Sequence, residues 1–155
     1  MSIFIRTVSV LIVSVVVVST IVAAQSRKAS QAELTLLELV NRAREKQGLP
    51  GLRWSSELAI AARKHALVMA AHGDAQHGFP GEPGMAARAT QAGARFSSLS
   101  ENVCQSTQVE AIAAEFLSSP MHRANILDSD MDSIGVGVVE RGGQLFAVED
   151  FSKAK

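Results

Sequence analysis

Three side chains carry the chemistry this sequence offers: His77, Glu101 and His122. Two neutral imidazoles and a carboxylate form a ligand set for a divalent metal such as zinc, with an open position for water. The same groups can also work as an acid–base pair near neutral pH. The spacing alone decides neither. His77 and Glu101 are 24 residues apart, and Glu101 and His122 are 21 apart, so only the fold can bring them together. A carboxylate bridging helix and loop donors is the structural alternative for Glu101. The chain has no HExxH or CxxC signature, so no metal site is encoded locally. It also lacks a GxSxG elbow and a phosphate-binding glycine loop, which argues against a serine hydrolase or a nucleotide enzyme.

The remaining polar candidates have structural readings. His65 lies on the apolar face of a helix and is expected to be a hydrogen-bonded core histidine. His72 closes that helix, where a cation suits the helix dipole. Arg123 and Asn125 are expected to tie a short helix to a neighbouring loop. Asp128, Asp130 and Asp132 alternate like calcium ligands, but the Gly and Glu of an EF-hand loop are missing. Cys104 is the only cysteine, which excludes an intrachain disulfide. It sits in a short apolar stretch without a neighbouring cation, as expected for a small buried hydrophobe.

These residues must be positioned by helices that come first and strands that come late. Ser30 and Glu33 form a capping box, opening a helix with Leu34, Leu37, Val40 and Ala43 on one stripe. Ser55 caps a second helix, in which Leu58, Ala61, Ala62, His65, Ala66, Met69 and Ala70 recur at helical spacing until Gly73. Residues 72–84 form a long loop rich in Gly and Pro, a functional candidate by its length. A short helix from Met85 to Ala92 follows. Thr107 and Glu110 suggest another capping box. Ser119 then Pro120 start a short helix that holds His122 in its first turn. From Ile134 the period changes to two, and Gly142-Gly143 turns the chain back into a strand from Leu145 to Phe151. This order indicates an α+β domain.

Residues 1–24 differ from the rest. Arg6 precedes an apolar run from Thr7 to Val22, and Ala23-Ala24 offer a small-residue exit. This is the layout of a cleaved export signal, with an uncleaved membrane anchor as the alternative. Residues 25–33 read as a polar tether and residues 34–152 as the domain. Charge is balanced, with 15 Lys+Arg against 15 Asp+Glu, and no basic stripe is present. Nucleic-acid binding is not expected.

Six short motifs come in an order that resembles the bacterial branch of the CAP domains. They are Leu39-Val40-Asn41-Arg42-Ala43-Arg44, Gly48 to Trp54, Leu58 to Met69 with His77 beyond it, Ser100-Glu101-Asn102-Val103, Ser119 to Leu127, and Ile134-Gly135-Val136-Gly137. The superfamily includes cysteine-rich secretory proteins, venom allergens and pathogenesis-related plant proteins. The resemblance implies a three-layer α-β-α sandwich around a small antiparallel sheet, with an open cleft on one face. In the eukaryotic branch two His and two acids line that cleft. Carried over, they fall on His77, His122 and Glu101, while the second acid falls near Ser119. Ser100 replaces a usual Gly, and Phe116 a common Trp.

Three functions fit this reading. The first is an exported, monomeric binding module whose cleft holds a lipid, a cell-envelope fragment or a peptide. The second is a hydrolase of peptide or cell-wall substrates that uses a metal or the His/Glu pair. The third is a structural or interaction protein. The missing second acid favours the first, with at most a weakly bound divalent metal.

Overall fold

The computed structural model describes residues 28–155. The expected export segment, residues 1–24, lies outside them. In chain order the elements are α1 (Gln31–Glu45), β1 (Arg53–Trp54), α2 (Ser56–His72), α3 (Met85–Gln91), β2 (Phe96–Ser106), α4 (Val109–Ser118), α5 (Pro120–Ile126), β3 (Ser133–Arg141) and β4 (Gln144–Ala154). No helix among the described residues is long and apolar enough to cross a membrane.

The strands form one sheet in the order β1-β3-β4-β2. The β3–β4 and β4–β2 pairs are antiparallel, while β1 pairs with β3 in parallel at Arg53–Ser133 and Trp54–Ile134. The sheet is therefore mixed, not purely antiparallel. Two strands escape the hydrophobic pattern. β1 has only two residues, and β2 reads Phe-Ser-Ser-Leu-Ser-Glu-Asn-Val-Cys-Gln-Ser.

Alternation along the strands feeds a core on each side of the sheet. Val103, Phe146 and Val148 meet Ala62, Ala66, Met69 and Ala70 of α2. On the other face Ile134, Val136, Ala147 and Phe151 meet Leu36 and Val40 of α1, Ile112 and Phe116 of α4, and Ile126 of α5. The result is the expected α-β-α sandwich. Its α2 layer comes unusually close. A Cβ built on Gly135 would lie 2.1 Å from Ala59 N, and one on Gly137 would lie 2.3 Å from Arg63 N. The two glycines let a helix backbone rest directly on β3. Gly142 and Gly143, at φ 60° and 77°, supply the left-handed pair that a two-residue hairpin requires.

The capping boxes differ in outcome. That of α1 is complete: Ser30 N–H donates to Glu33 Oε2 (2.7 Å) and Glu33 N–H donates to Ser30 Oγ (3.3 Å). The one expected at Thr107 and Glu110 does not form. α4 starts later, with Gln108 as N-cap and no side-chain capping bond. The buried stripe of α1 also differs from expectation, since it is Glu33, Leu36, Val40 and Arg44, while Leu34 is exposed. Both charges have internal work. Glu33 accepts from Arg63 Nε and Nη2 at 2.6 Å each. Arg44 is fully buried and donates to the carbonyls of Pro50 (2.9 Å), Ile126 (2.8 Å), Asp128 (2.8 Å) and Met131 (3.3 Å). It ties the end of α1 to the chain between α5 and β3, which fixes the helix that carries His122.

Candidate functional site

The site straddles β2, an edge strand of the sheet. Because side chains alternate, Glu101 and Asn102 point to opposite faces. Glu101 lies on the α2 face, cross-strand from Asp150. Its Oε1 is 2.9 Å from His77 Nδ1, and its Oε2 accepts from Arg88 Nη2. Both Glu101 and Arg88 are buried, whereas the His77 side chain is 58% exposed. Imidazole and carboxylate are thus in direct contact, with the ring turned toward solvent and the acid held behind it.

The loop that carries His77 is fastened in three ways. His65, fully buried, has Nδ1 2.7 Å from Glu82 Oε1 and donates from Nε2 to the Gln76 carbonyl (2.8 Å). Glu82 Oε2 accepts from Phe79 N–H (3.3 Å). Arg88 Nη1 donates to the carbonyls of Pro83 (3.1 Å) and His77 (3.4 Å). His65 is therefore the core histidine that its helical position suggests, and its work is to hold residues 76–82 against α2. His72 Nδ1 donates to Val68 O (2.9 Å), and its ring stacks on Phe79 at 4.1 Å.

On the other face of β2, Asn102 Nδ2 donates to the His122 carbonyl (3.2 Å) and to Glu149 Oε2 (3.2 Å). Asn125 Nδ2 donates to Asn102 Oδ1 (2.9 Å) and to the Glu101 carbonyl (3.2 Å). Asn125 ties α5 to the strand as expected. Arg123 does not: it is exposed, and its side chain makes no hydrogen bond to a described residue. The His122 ring packs edge-on against Phe116 at 5.1 Å, and its Nδ1 is buried without a partner. Burial holds the His122 pKa below its ordinary 6.5; the nearby His77 charge acts the same way, and Glu115 opposes them. His77 and His122 are thus close enough to sense each other, although they reach the site from opposite sides of the strand.

The position carried over for a second acid is Ser119, and the acid that acts on His122 is Glu115, one turn earlier. Ser119 Oγ accepts from His122 N–H (3.5 Å) as the N-cap of α5. Two other acids lie on β4, cross-strand from Glu101 and Asn102. Burial first, then the Glu101 charge, push Asp150 well above the ordinary carboxyl range, against the pull of Arg88. Glu149 is fully buried, and desolvation raises its pKa to about 8. Cys104 is buried too; desolvation and then Glu115 push its thiol up to about 12. It is no nucleophile at neutral pH. No three His, Cys, Asp or Glu side chains among the described residues are grouped to hold a metal ion. Glu101 stands where a carboxylate orients an imidazole.

Arg88, Glu82, Asp150 and Glu149 escape sequence reasoning. Arg88 is one charge in an Ala-rich seven-residue helix, and a charge there reads as a solvated face. The acids of β4 fall inside a strand expected from its apolar neighbours. Only cross-strand register with β2 reveals Asp150 as the partner of Glu101.

Comparison with known proteins gives the following. The profile of the cysteine-rich secretory protein family, CAP, matches residues 37–151. YkwD of Bacillus subtilis (strain 168) is 30% identical over 114 residues, covering 73% of this chain and 44% of YkwD. The crystal structure of an extracellular SCP-domain protein from Bacillus anthracis superposes with a TM-score of 0.71 at 25% identity, over 79% of this chain and 40% of that one. The chain thus spans less than half the length of both. An outer surface protein of Borrelia burgdorferi has the same fold, with a TM-score of 0.75 at 19% identity over 83% of this chain and 96% of its own.

Proposed function

We propose that this chain, which belongs to the cysteine-rich secretory protein (CAP) family, is an exported binding module whose cleft holds a lipid, cell-envelope or peptide ligand without transforming it. One observation carries this reading. Both oxygens of Glu101, the acid beside His77, are occupied, one by His77 and the other by Arg88. A carboxylate held on both oxygens, one of them by a buried guanidinium that Glu82 shares at 3.6 Å, is poorly placed to reach a substrate proton or a metal ion. It is well suited to fixing the orientation of an exposed imidazole. What faces a ligand is then two imidazole rings and a hydrogen-bonding edge, a recognition surface. The basic, apolar and small-residue layout of residues 1–24 supports export of the domain.

The test is a His77→Ala/His122→Ala double variant of residues 25–155. The probes are a muropeptide digest and a bacterial phospholipid extract, with complexes detected by native mass spectrometry. We expect the variant to lose the complexes that wild type forms while unfolding within about 1 kcal/mol of it, since His77 is exposed and His122 Nδ1 has no partner. Unchanged binding with a large loss of stability would make the two rings structural and contradict the proposal.

A divalent cation would meet His77 and His122, with Glu101 behind His77, and two imidazoles form a weak site. Zinc titrated calorimetrically at pH 7.5 should bind weakly. Binding should weaken as protons compete for the rings, with competition at His122 setting in below pH 6.5 because its pKa is lowered. Tight binding that survives His122→Ala would show that the metal sits elsewhere.

A further inference from the structure

A second surface, remote from the cleft's chemistry, has a different composition. Between the start of α1, the middle of α2 and the outer edge of β3 lies an open basin of about 430 Å³. Its floor is aliphatic: Ile60, Leu67, Val138 and Val139. Leu67 is 58% exposed, one of three exposed large hydrophobic residues among those described. Lys28 and Lys64 stand on the rim, and neither forms an ion pair with a described residue. The acid within the basin, Glu33, is taken by Arg63 through two bonds of 2.6 Å. The surface therefore combines bare aliphatic area with two uncompensated ammonium groups.

The chain itself says what lies next to it. Lys28 follows Ala24, where the N-terminal apolar segment and its small-residue exit end, by four residues. Four residues span at most about 14 Å. When that run is in a bilayer, the rim of the basin is within reach of the lipid headgroups, whose layer is about 5–7 Å deep on each side. Lysines at such a surface favour anionic lipids, each by about fivefold in partition. Aliphatic side chains between them can enter the acyl boundary, as on interfacial helices.

We propose that this basin is a lipid-facing surface that seats the domain on an anionic bilayer leaflet at the root of the N-terminal apolar segment. The inference uses none of the cleft's residues and rests on residues 1–24 acting as the uncleaved membrane anchor. It gives the domain a fixed orientation: α2 and the start of α1 face the membrane, and the far end of α1 points away.

The full chain in nanodiscs tests it. A nitroxide is attached at Leu67→Cys; native Cys104 is buried and its thiol is pushed up to about 12, so it does not compete for the label. A reference label goes at Gln47→Cys, just past the other end of the 15-residue α1 and about 22 Å along it. In discs of phosphatidylcholine with phosphatidylglycerol, the label at position 67 should be open to oxygen and shielded from a water-soluble nickel chelate, while the label at 47 stays aqueous. Lys28→Glu/Lys64→Glu should reduce membrane-facing occupancy at least 25-fold, the product of two fivefold steps. Equal aqueous exposure at both positions would overturn the proposal. So would shielding that persists in pure phosphatidylcholine or survives the charge reversal. Shielding produced by inorganic phosphate alone would assign the lysines to a soluble anion and overturn the lipid assignment.

Discussion

Gly135→Ala should unfold this domain more readily by about 3 kcal/mol or more, the upper range for overpacking a core. The added methyl would meet Ala59 N at 2.1 Å, Leu58 C at 2.2 Å and Leu58 Cβ at 2.4 Å. Two of these atoms are helix backbone, so no side-chain rotation relieves the contact. α2 would have to lift from β3, and it carries Ala62, Ala66 and Met69 of one core as well as His65, which anchors the loop of His77. The change therefore reaches His77 through packing. Urea unfolding of Gly135→Ala beside Gly84→Ala makes the comparison. Gly84 has φ −62° and open space around its Cβ position, so its variant should be nearly neutral. A loss below 1 kcal/mol at Gly135 would show that the layers are not in backbone contact.

The second large effect depends on pH. Glu149 is enclosed between α1, α4 and α5, with one oxygen on Asn102 and the other unpartnered. Desolvation raises its folded pKa from 4.5 to about 8. Below pH 4.5 both folded and unfolded states hold the proton, and the group has no effect on stability. Between pH 4.5 and 8 only the folded state keeps it, so stability falls as pH rises, by 1.36 kcal/mol per unit. Above pH 8 the loss is complete, at several kcal/mol. Glu149→Gln keeps the shape and the bond from Asn102 and removes the titration. It should be more stable than wild type by roughly 3 kcal/mol at pH 7 and converge with it near pH 4.5. Asp150 shifts in the same direction but is present in both proteins and cancels in the comparison. Denaturant midpoints at pH 4.5, 6 and 8 measure this, and parallel pH profiles would contradict a buried proton on Glu149.

Which parts were legible in the sequence follows from the same physics. Ser30 with Glu33, Ser55, Ser119 with Pro120, and Gly142-Gly143 act locally, and each forms the cap or turn its chemistry requires. β2 was not legible. Its Ser97, Ser98 and Ser100 give no apolar alternation, and Glu101 and Asn102 are buried only because the loop, α3 and α5 supply their partners. Strand preference there is a tertiary property. The stripe of α1 was displaced for a related reason: two of its four inward positions are charged. Hydrophobic periodicity counts Glu33 and Arg44 as solvent-facing, although they bond to Arg63 and to four carbonyls. At the site, His77, Glu101 and His122 were expected from motif order, and the structure places His77 against Glu101 with His122 nearby, while Arg88 was not expected. Yet Arg88 changes what Glu101 can do, because it converts a free acid into half of a buried ion pair.

In the reading proposed above, the cleft binds and does not transform. The direct measurement is the fate of a bound molecule. Residues 25–155 are incubated to equilibrium with the muropeptide digest and phospholipid extract, and each molecule found in a complex is recovered and weighed. Every one should return at its original mass, and the complexes should vanish in His77→Ala/His122→Ala. Products heavier in sum by one water, formed by wild type and absent with the double variant, would show that the two histidines hydrolyse what they hold and would contradict it.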